Sequence, residues 1–163
     1  LINIDRAWDY FADSDFIRLI RESNKANQIF LKCPVTNDIA LNHLQELASD
    51  LMFVAIVESQ DDLTACLTYD QINLIGLELV IRKTDSDLLD VEWQGQLTSQ
   101  GYLVVVNAEK LGADTHLYNN LSDDQALLLG GELAWGQMLK QGANAIITDW
   151  PNFLNDYRQD LKK

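Results

Sequence analysis

Basic residues are scarce in this chain. Twelve Lys and Arg stand against 25 Asp and Glu, a formal net charge of −13. Nucleic-acid backbones and anionic membrane surfaces are both held by clustered Lys and Arg, so neither is an expected partner. An acidic chain can still take a phosphate-bearing substrate if a metal ion or a local Lys or Arg reverses the sign at the site. Cysteine is scarcer still. Cys33 and Cys66 both sit among apolar neighbours, and no Cys-x-x-Cys occurs. That excludes a disulfide framework and reads as two buried small hydrophobes. No apolar run approaches the length of a membrane-spanning helix, so stable membrane insertion is not expected. There is no basic, apolar, small-residue leader either. The chain opens on Leu1 and enters an apparent strand at once, which reads as a piece whose natural N-terminus lies upstream. Gly-x-Gly-x-x-Gly, P-loop, Gly-x-Ser-x-Gly and His-Glu-x-x-His patterns are absent, which leaves nucleotide-dependent, serine-hydrolase and zincin chemistries without support.

What is present is an alternation of strand and helix. The 163 residues suffice for one core, and 47% are hydrophobic, ordinary for a globular domain. Strands are expected at Leu1–Asp5, Gln28–Cys33, Leu51–Val57, Leu74–Ile81, Tyr102–Val106 and Ala145–Ile147. Leu51–Val57 is apolar almost throughout, as a parallel strand buried on both faces must be. Helices are expected from Trp8 to Ser23 with Phe11, Phe16, Leu19 and Ile20 inward, then after an Asn37 or Thr36 cap with Ile39, Leu41, Leu44 and Leu47 inward. Further helices follow at Gln60–Tyr69, Asp85–Gln100 and Asp123–Gln141, and after Pro151. A long polar loop separates Asn107 from Ser122. Such alternation favours a parallel sheet with right-handed crossovers. A doubly wound open sheet and an incomplete (β/α)8 barrel fit the periodicity equally.

The segment Gly142-Ala143-Asn144-Ala145-Ile146-Ile147-Thr148-Asp149-Trp150-Pro151 resembles the closing strand of the glycerophosphodiester phosphodiesterases, which typically read Gly-x-x-x-Ile-x-Thr-Asp-x-Pro there. Ala134-Trp135-Gly136-Gln137-Met138-Leu139 is similar to the Trp-Gly-x-x-Leu/Ile helix of bacterial members, and Val104-Val105-Val106-Asn107 to their penultimate strand. Ile2-Asn3-Ile4-Asp5-Arg6 resembles the third barrel strand and Gln28-Ile29-Phe30-Leu31-Lys32 the fourth. The resemblance covers nearly the whole chain, as units three to eight of a TIM-type barrel: one domain, residues 1–163, of parallel strands with helices outside. It implies hydrolysis of glycerophosphodiesters to glycerol 3-phosphate and an alcohol, in lipid metabolism, with Mg²⁺ or Ca²⁺ as cofactor. Many bacterial members of that family are exported, so the resemblance implies a periplasmic or secreted location. The family's His-Arg-Gly, Glu-x-Asp and His-Asp segments, which supply the acid/base histidines and most metal ligands, do not occur in this chain. The piece alone is therefore expected to be inactive, with no catalytic residue of its own. Val104 replaces the family's common Trp, and Asp5 stands where many members have Glu.

The resemblance gives roles to individual residues. Asp5 becomes a metal ligand, and otherwise a helix cap. Lys32, inside an apolar strand, must find a carboxylate or an anion, and becomes the phosphate-binding cation. Glu78 interrupts another apolar strand and either lines the mouth or pairs with Lys32 or Arg82. Asn107 can donate to a phosphate or glycerol hydroxyl, and can equally form a turn. Asp149 either positions a neighbour or caps the last helix. Trp150 and Trp135 read as rim or core packing. His116 lies in the loop after the penultimate expected full strand, and His43 on a helix as a structural residue. Two alternatives to the phosphodiesterase reading are a non-catalytic interaction piece that self-associates through exposed sheet edges, and a different phosphate-binding α/β enzyme.

Overall fold

The computed structural model describes residues 1–112 and 116–162. The expected loop over Asn107–Ser122 therefore includes a stretch, 113–115, outside the described residues. Six strands form: β1 (Ile2–Ile4), β2 (Ile29–Pro34), β3 (Met52–Val57), β4 (Leu74–Leu79), β5 (Leu103–Asn107) and β6 (Ala145–Ile147). Their hydrogen-bonded order is β1-β2-β3-β4-β5-β6. The order follows the chain and lacks the reversal that marks a doubly wound sheet. The boundary between two compact units, Leu1–Leu77 and Glu78–Lys163, falls within β4.

In the first unit, β1 pairs with β2 in parallel, Ile4 opposite Leu31, and β2 pairs with β3 in parallel, Lys32 opposite Val54. Side chains on both faces of β2 and β3 are buried, including Leu31, Cys33, Phe53, Val54 and Ala55. That is the continuous apolar signature of a parallel strand. The helix expected from Trp8 is instead a 3₁₀ turn, Trp8–Tyr10, followed by α1 (Ser14–Glu22). The cause is Asp13. Its carboxylate accepts the N–H groups of Asp15 at 2.8 Å and Phe16 at 3.3 Å, which starts a fresh helix there. The cap position of the Trp8–Tyr10 turn is Ala7, with no side-chain hydrogen bond, so Asp5 does not cap it. Within α1, Ile17 and Ile20 face inward and Leu19 is exposed.

The second helix, α2 (Asp38–Leu47), is capped by Asn37, whose side chain accepts the Ala40 N–H at 3.1 Å. Leu41 and Leu44 are buried and Ile39 is exposed. The next, α3 (Gln60–Cys66), opens on a reciprocal capping box between Ser59 and Asp62.

In the second unit, β5 pairs with β6 in parallel, Asn107 opposite Ile147. Its core contains Leu79, Ile81, Leu88, Val104, Val106, Tyr118 and Met138. A 3₁₀ turn at Asp87–Leu89 precedes α4 (Val91–Ser99), so the helix expected from Asp85 begins later. The long helix expected over Asp123–Gln141 is broken into α5 (Asp123–Leu129), a 3₁₀ turn at Gly131–Leu133 and α6 (Trp135–Lys140). Gly130 breaks it by taking φ +109°, open to glycine and strained for other residues. Gly142 ends α6 at φ +116°, where a Cβ would lie 2.7 Å from the Gln94 Cβ. The last helix, α7 (Pro151–Asp160), has proline in its first turn, where the missing N–H costs no intrahelical bond.

Candidate functional site

Each unit has polar side chains at the C-terminal ends of its strands, the edge where parallel α/β folds carry their chemistry. In the first unit, Asp5 follows β1 and Lys32 lies within β2. Their neighbours Ile4 and Leu31 are opposite each other in register, so the next residue on each strand is brought side by side. The Lys32 Nζ is 3.0 Å from Asp5 Oδ1, with side-chain exposures of 7% and 55%. Lys32 is thus a buried cation, flanked in sequence by the fully buried Leu31 and Cys33, and Asp5 answers it from the solvent side. Arg6 Nε approaches the other Asp5 oxygen at 3.8 Å.

In the second unit, the end of β5 and the end of β6 are tied together by a residue the sequence reading did not single out. Asp123 is 4% exposed. Its Oδ1 accepts the Trp135 indole N–H and the Thr148 hydroxyl, each at 2.8 Å, and its Oδ2 accepts the Asp149 N–H at 3.0 Å. The Asp123 N–H in turn donates to the Ala108 carbonyl at 2.8 Å. One buried carboxylate therefore joins the start of α5, the start of α6 and the turn after β6. The sequence signal was ambiguous: Ser122-Asp123-Asp124 reads as an ordinary acidic helix start.

Asp149 does not cap α7. The cap position is Trp150, with no side-chain hydrogen bond, and the Asp149 main chain is held by Asp123. The Trp150 N–H donates to the Thr148 hydroxyl at 2.9 Å. A cavity of about 280 Å³ opens here, lined by Lys110, Asp123, Asp124, Asp149 and Trp150. Lys110 lies 3.4 Å from Asp124.

Asn107 ends β5 and is buried, and its side-chain oxygen accepts the Glu109 N–H at 2.8 Å. That is the turn-forming role. Glu78 is buried in β4. His116 forms an antiparallel bridge with Lys110, and its Nδ1 is buried with no hydrogen-bond partner among the described residues. His43 is half-buried on α2 beside a cleft shared with Trp8, Asp9 and Asn37. Trp135 is core, as its 2% exposure requires. Burial pushes the Cys33 thiol up to about 12, with a smaller contribution from Cys66, and burial alone pushes Cys66 up to about 11. Both are buried thiols held in the protonated form, in keeping with the packing role expected of them.

Among the described residues, no three His, Cys, Asp or Glu side chains gather as a metal site, and no helix is long and apolar enough to cross a membrane. No protein-family model matches this sequence, and no curated protein matches it.

Proposed function

We propose that this chain is the C-terminal six strand/helix units of a glycerophosphodiester phosphodiesterase-like barrel, and that the protein containing it hydrolyses glycerophosphodiesters to glycerol 3-phosphate and an alcohol. The observation that carries the reading is the contact of 3.0 Å between Lys32, within β2, and Asp5, which follows the neighbouring parallel strand β1. The buried ammonium is one of only twelve Lys and Arg in a chain of net charge −13, and it is paired with Asp5. Its chemistry suits the anionic oxygens of a phosphodiester, because a charge-assisted hydrogen bond gains strength where water is scarce. Asp5 holds the ammonium from the solvent side and yields when an anionic substrate competes for it. The strand order supports a barrel over a doubly wound sheet, since every step along the chain moves to the next strand in the same direction. The order of the sequence motifs, from Ile2-Asn3-Ile4-Asp5 to Thr148-Asp149-Trp150-Pro151, supports the family.

The reaction class implies a hard cation such as Mg²⁺ or Ca²⁺ to polarise the phosphoryl oxygens. The residues of this chain do not fit one unaided. Such ions take about six oxygens, whereas Asp5 supplies one carboxylate that already engages Lys32 and lies beside Arg6. No step through a metal is assigned to this chain. Nor does it hold the paired histidines that would move protons. The isolated 163-residue chain is therefore expected to leave glycerophosphocholine intact in the presence of Mg²⁺ or Ca²⁺. Release of glycerol 3-phosphate above a metal-only control contradicts this division of labour.

A second reading, an interaction piece, is favoured by the sheet edges. Among the described residues, β1 has β2 as its one strand neighbour and β6 has β5. Concentration-dependent association, read by light scattering, tests it.

A further inference from the structure

We infer that the cavity at the ends of β5 and β6 binds a small alkylammonium cation, seated against the Trp150 ring and answered by the Asp149 carboxylate. The inference is independent of the phosphodiester reading, which rests on Lys32 and Asp5 in the first unit. The cavity's described lining comes from the segments after β5 and β6 and from the start of α5, and the open edge of β6 takes no part in it.

The lining divides into engaged groups and open ones. Asp123 accepts from Trp135, Thr148 and the Asp149 main chain, and Asp124 lies 3.4 Å from the Lys110 ammonium. Asp149 differs from both. Its main-chain N–H is held by Asp123, and among the described residues its carboxylate has no hydrogen-bond or ion-pair partner. The anion is thus fixed through its main chain while its side chain stays open to a cation. Trp150 forms the apolar wall. Its main-chain N–H donates to the Thr148 hydroxyl at 2.9 Å, and its ring meets Phe153 at a centroid distance of 5.8 Å with 66° between the planes. An exposure of 45% leaves ring surface uncovered. The negative face of an indole attracts a cation, and the contact is worth about tenfold in affinity at a partly exposed site.

Charge and shape choose among ligands. An anion would meet Glu109, Asp123, Asp124 and Asp149, with Lys110 beside Asp124 as the one basic residue of the lining. A hard metal ion needs several oxygens converging on one point. Among the described residues no three His, Cys, Asp or Glu side chains gather in that way. An alkylammonium ion spreads its charge over an apolar surface, so one carboxylate and one aromatic face suffice. Size agrees. The cavity measures about 280 Å³, and a cavity of about 150 Å³ already admits benzene, a molecule of similar bulk to tetramethylammonium.

The test is an NMR titration of the 163-residue chain with tetramethylammonium chloride at constant ionic strength, with tert-butanol as the neutral counterpart and Mg²⁺ as the metal. Saturable shifts are expected at the Trp150 indole and at the amides of Lys110, Asp124 and Asp149, with much weaker binding of tert-butanol. Trp150→Leu and Asp149→Asn change exposed positions and are checked for folding by circular dichroism. They are expected to lower the affinity about tenfold and about threefold respectively. Equal binding of tert-butanol makes the site an apolar hollow and overturns the inference. Displacement of tetramethylammonium by Mg²⁺ makes it a metal site and overturns it too, as does unchanged affinity in both variants. If Trp150→Leu unfolds, Asp149→Asn and the tert-butanol comparison decide. A short peptide bearing trimethyllysine separates two sources of the same headgroup. Tighter binding than tetramethylammonium places it on a protein, equal or weaker binding places it on a small molecule, and either result supports the cation site. A cavity that shows no shifts overturns the inference and leaves the phosphodiester reading, tested at Lys32, untouched.

Discussion

Between β1 and β2 a buried cation, Lys32, meets a half-exposed carboxylate; at the ends of β5 and β6 a buried carboxylate, Asp123, meets an indole, a hydroxyl and a main-chain amide. The two arrangements use their charge differently. The Asp123 carboxylate is spent inside the fold, on three donors that hold the turn after β6 to the helices beside it. The Lys32 ammonium is held in part by Asp5, a side chain that water already reaches.

Several substitutions sharpen the contrast. The largest effect is expected at Asp123. Replacing it with Ala leaves the Trp135 and Thr148 donors without their acceptor and frees the Asp149 amide, at a cost of about 3 kcal/mol or more. Urea unfolding of Asp123→Ala measures it, with Asp123→Asn expected to lose less because an acceptor oxygen remains. A wild-type midpoint would demote Asp123 from its place at the centre of the unit.

The next effect is in pH dependence. Tyr157 donates to Glu132 at 2.6 Å, and Lys140 pairs with the same carboxylate. Burial, and then the Glu132 bond and charge, push the Tyr157 hydroxyl up to about 12. Its folded value lies above the ordinary value near 10, so its contribution to stability is complete below pH 10 and is lost as pH rises through about 12. Bonds to Lys140 and Tyr157 hold Glu132 below the usual carboxylate range, so its contribution is present above the ordinary carboxylate value and is lost as pH falls through the depressed one. Thermal unfolding of Tyr157→Phe across the alkaline range is expected to show a shallower decline than wild type. An unchanged alkaline slope would remove this bond from the account.

The smallest effect is expected at Asp5. Its side chain is 55% exposed and it is one partner of a buried lysine that keeps other interactions, so Asp5→Ala is expected to cost about 1–2 kcal/mol. A loss as large as that at Asp123 would erase the distinction between the two strand ends.

Met52–Val57 was legible in the sequence because a parallel strand buried on both faces is an unbroken apolar run, and the half-buried Ala145–Ile147 was legible as a short apolar run after Gly142. Helix interruptions were harder. The break at Gly130 and Gly131 sits within an otherwise helical pattern, and the restart at Asp13 depends on a local cap competing with an apolar periodicity that runs through it. Lys32 was visible as a site residue because a lysine between Leu31 and Cys33 demands a partner. Asp123 was not, because a carboxylate at a helix start looks the same whether it faces water or receives an indole from Trp135, twelve residues further on. The separation between those two partners is bridged only by the turn at Gly130, which no local pattern reveals.

Titration with glycerol 3-phosphate, followed by amide NMR on wild type and on Lys32→Met, tests the central claim most directly. The account predicts saturable shifts at the ends of β1 and β2 in the wild type, lost in Lys32→Met while the fold persists. Equal shifts in both proteins, or no shifts at those strand ends in either, would contradict it.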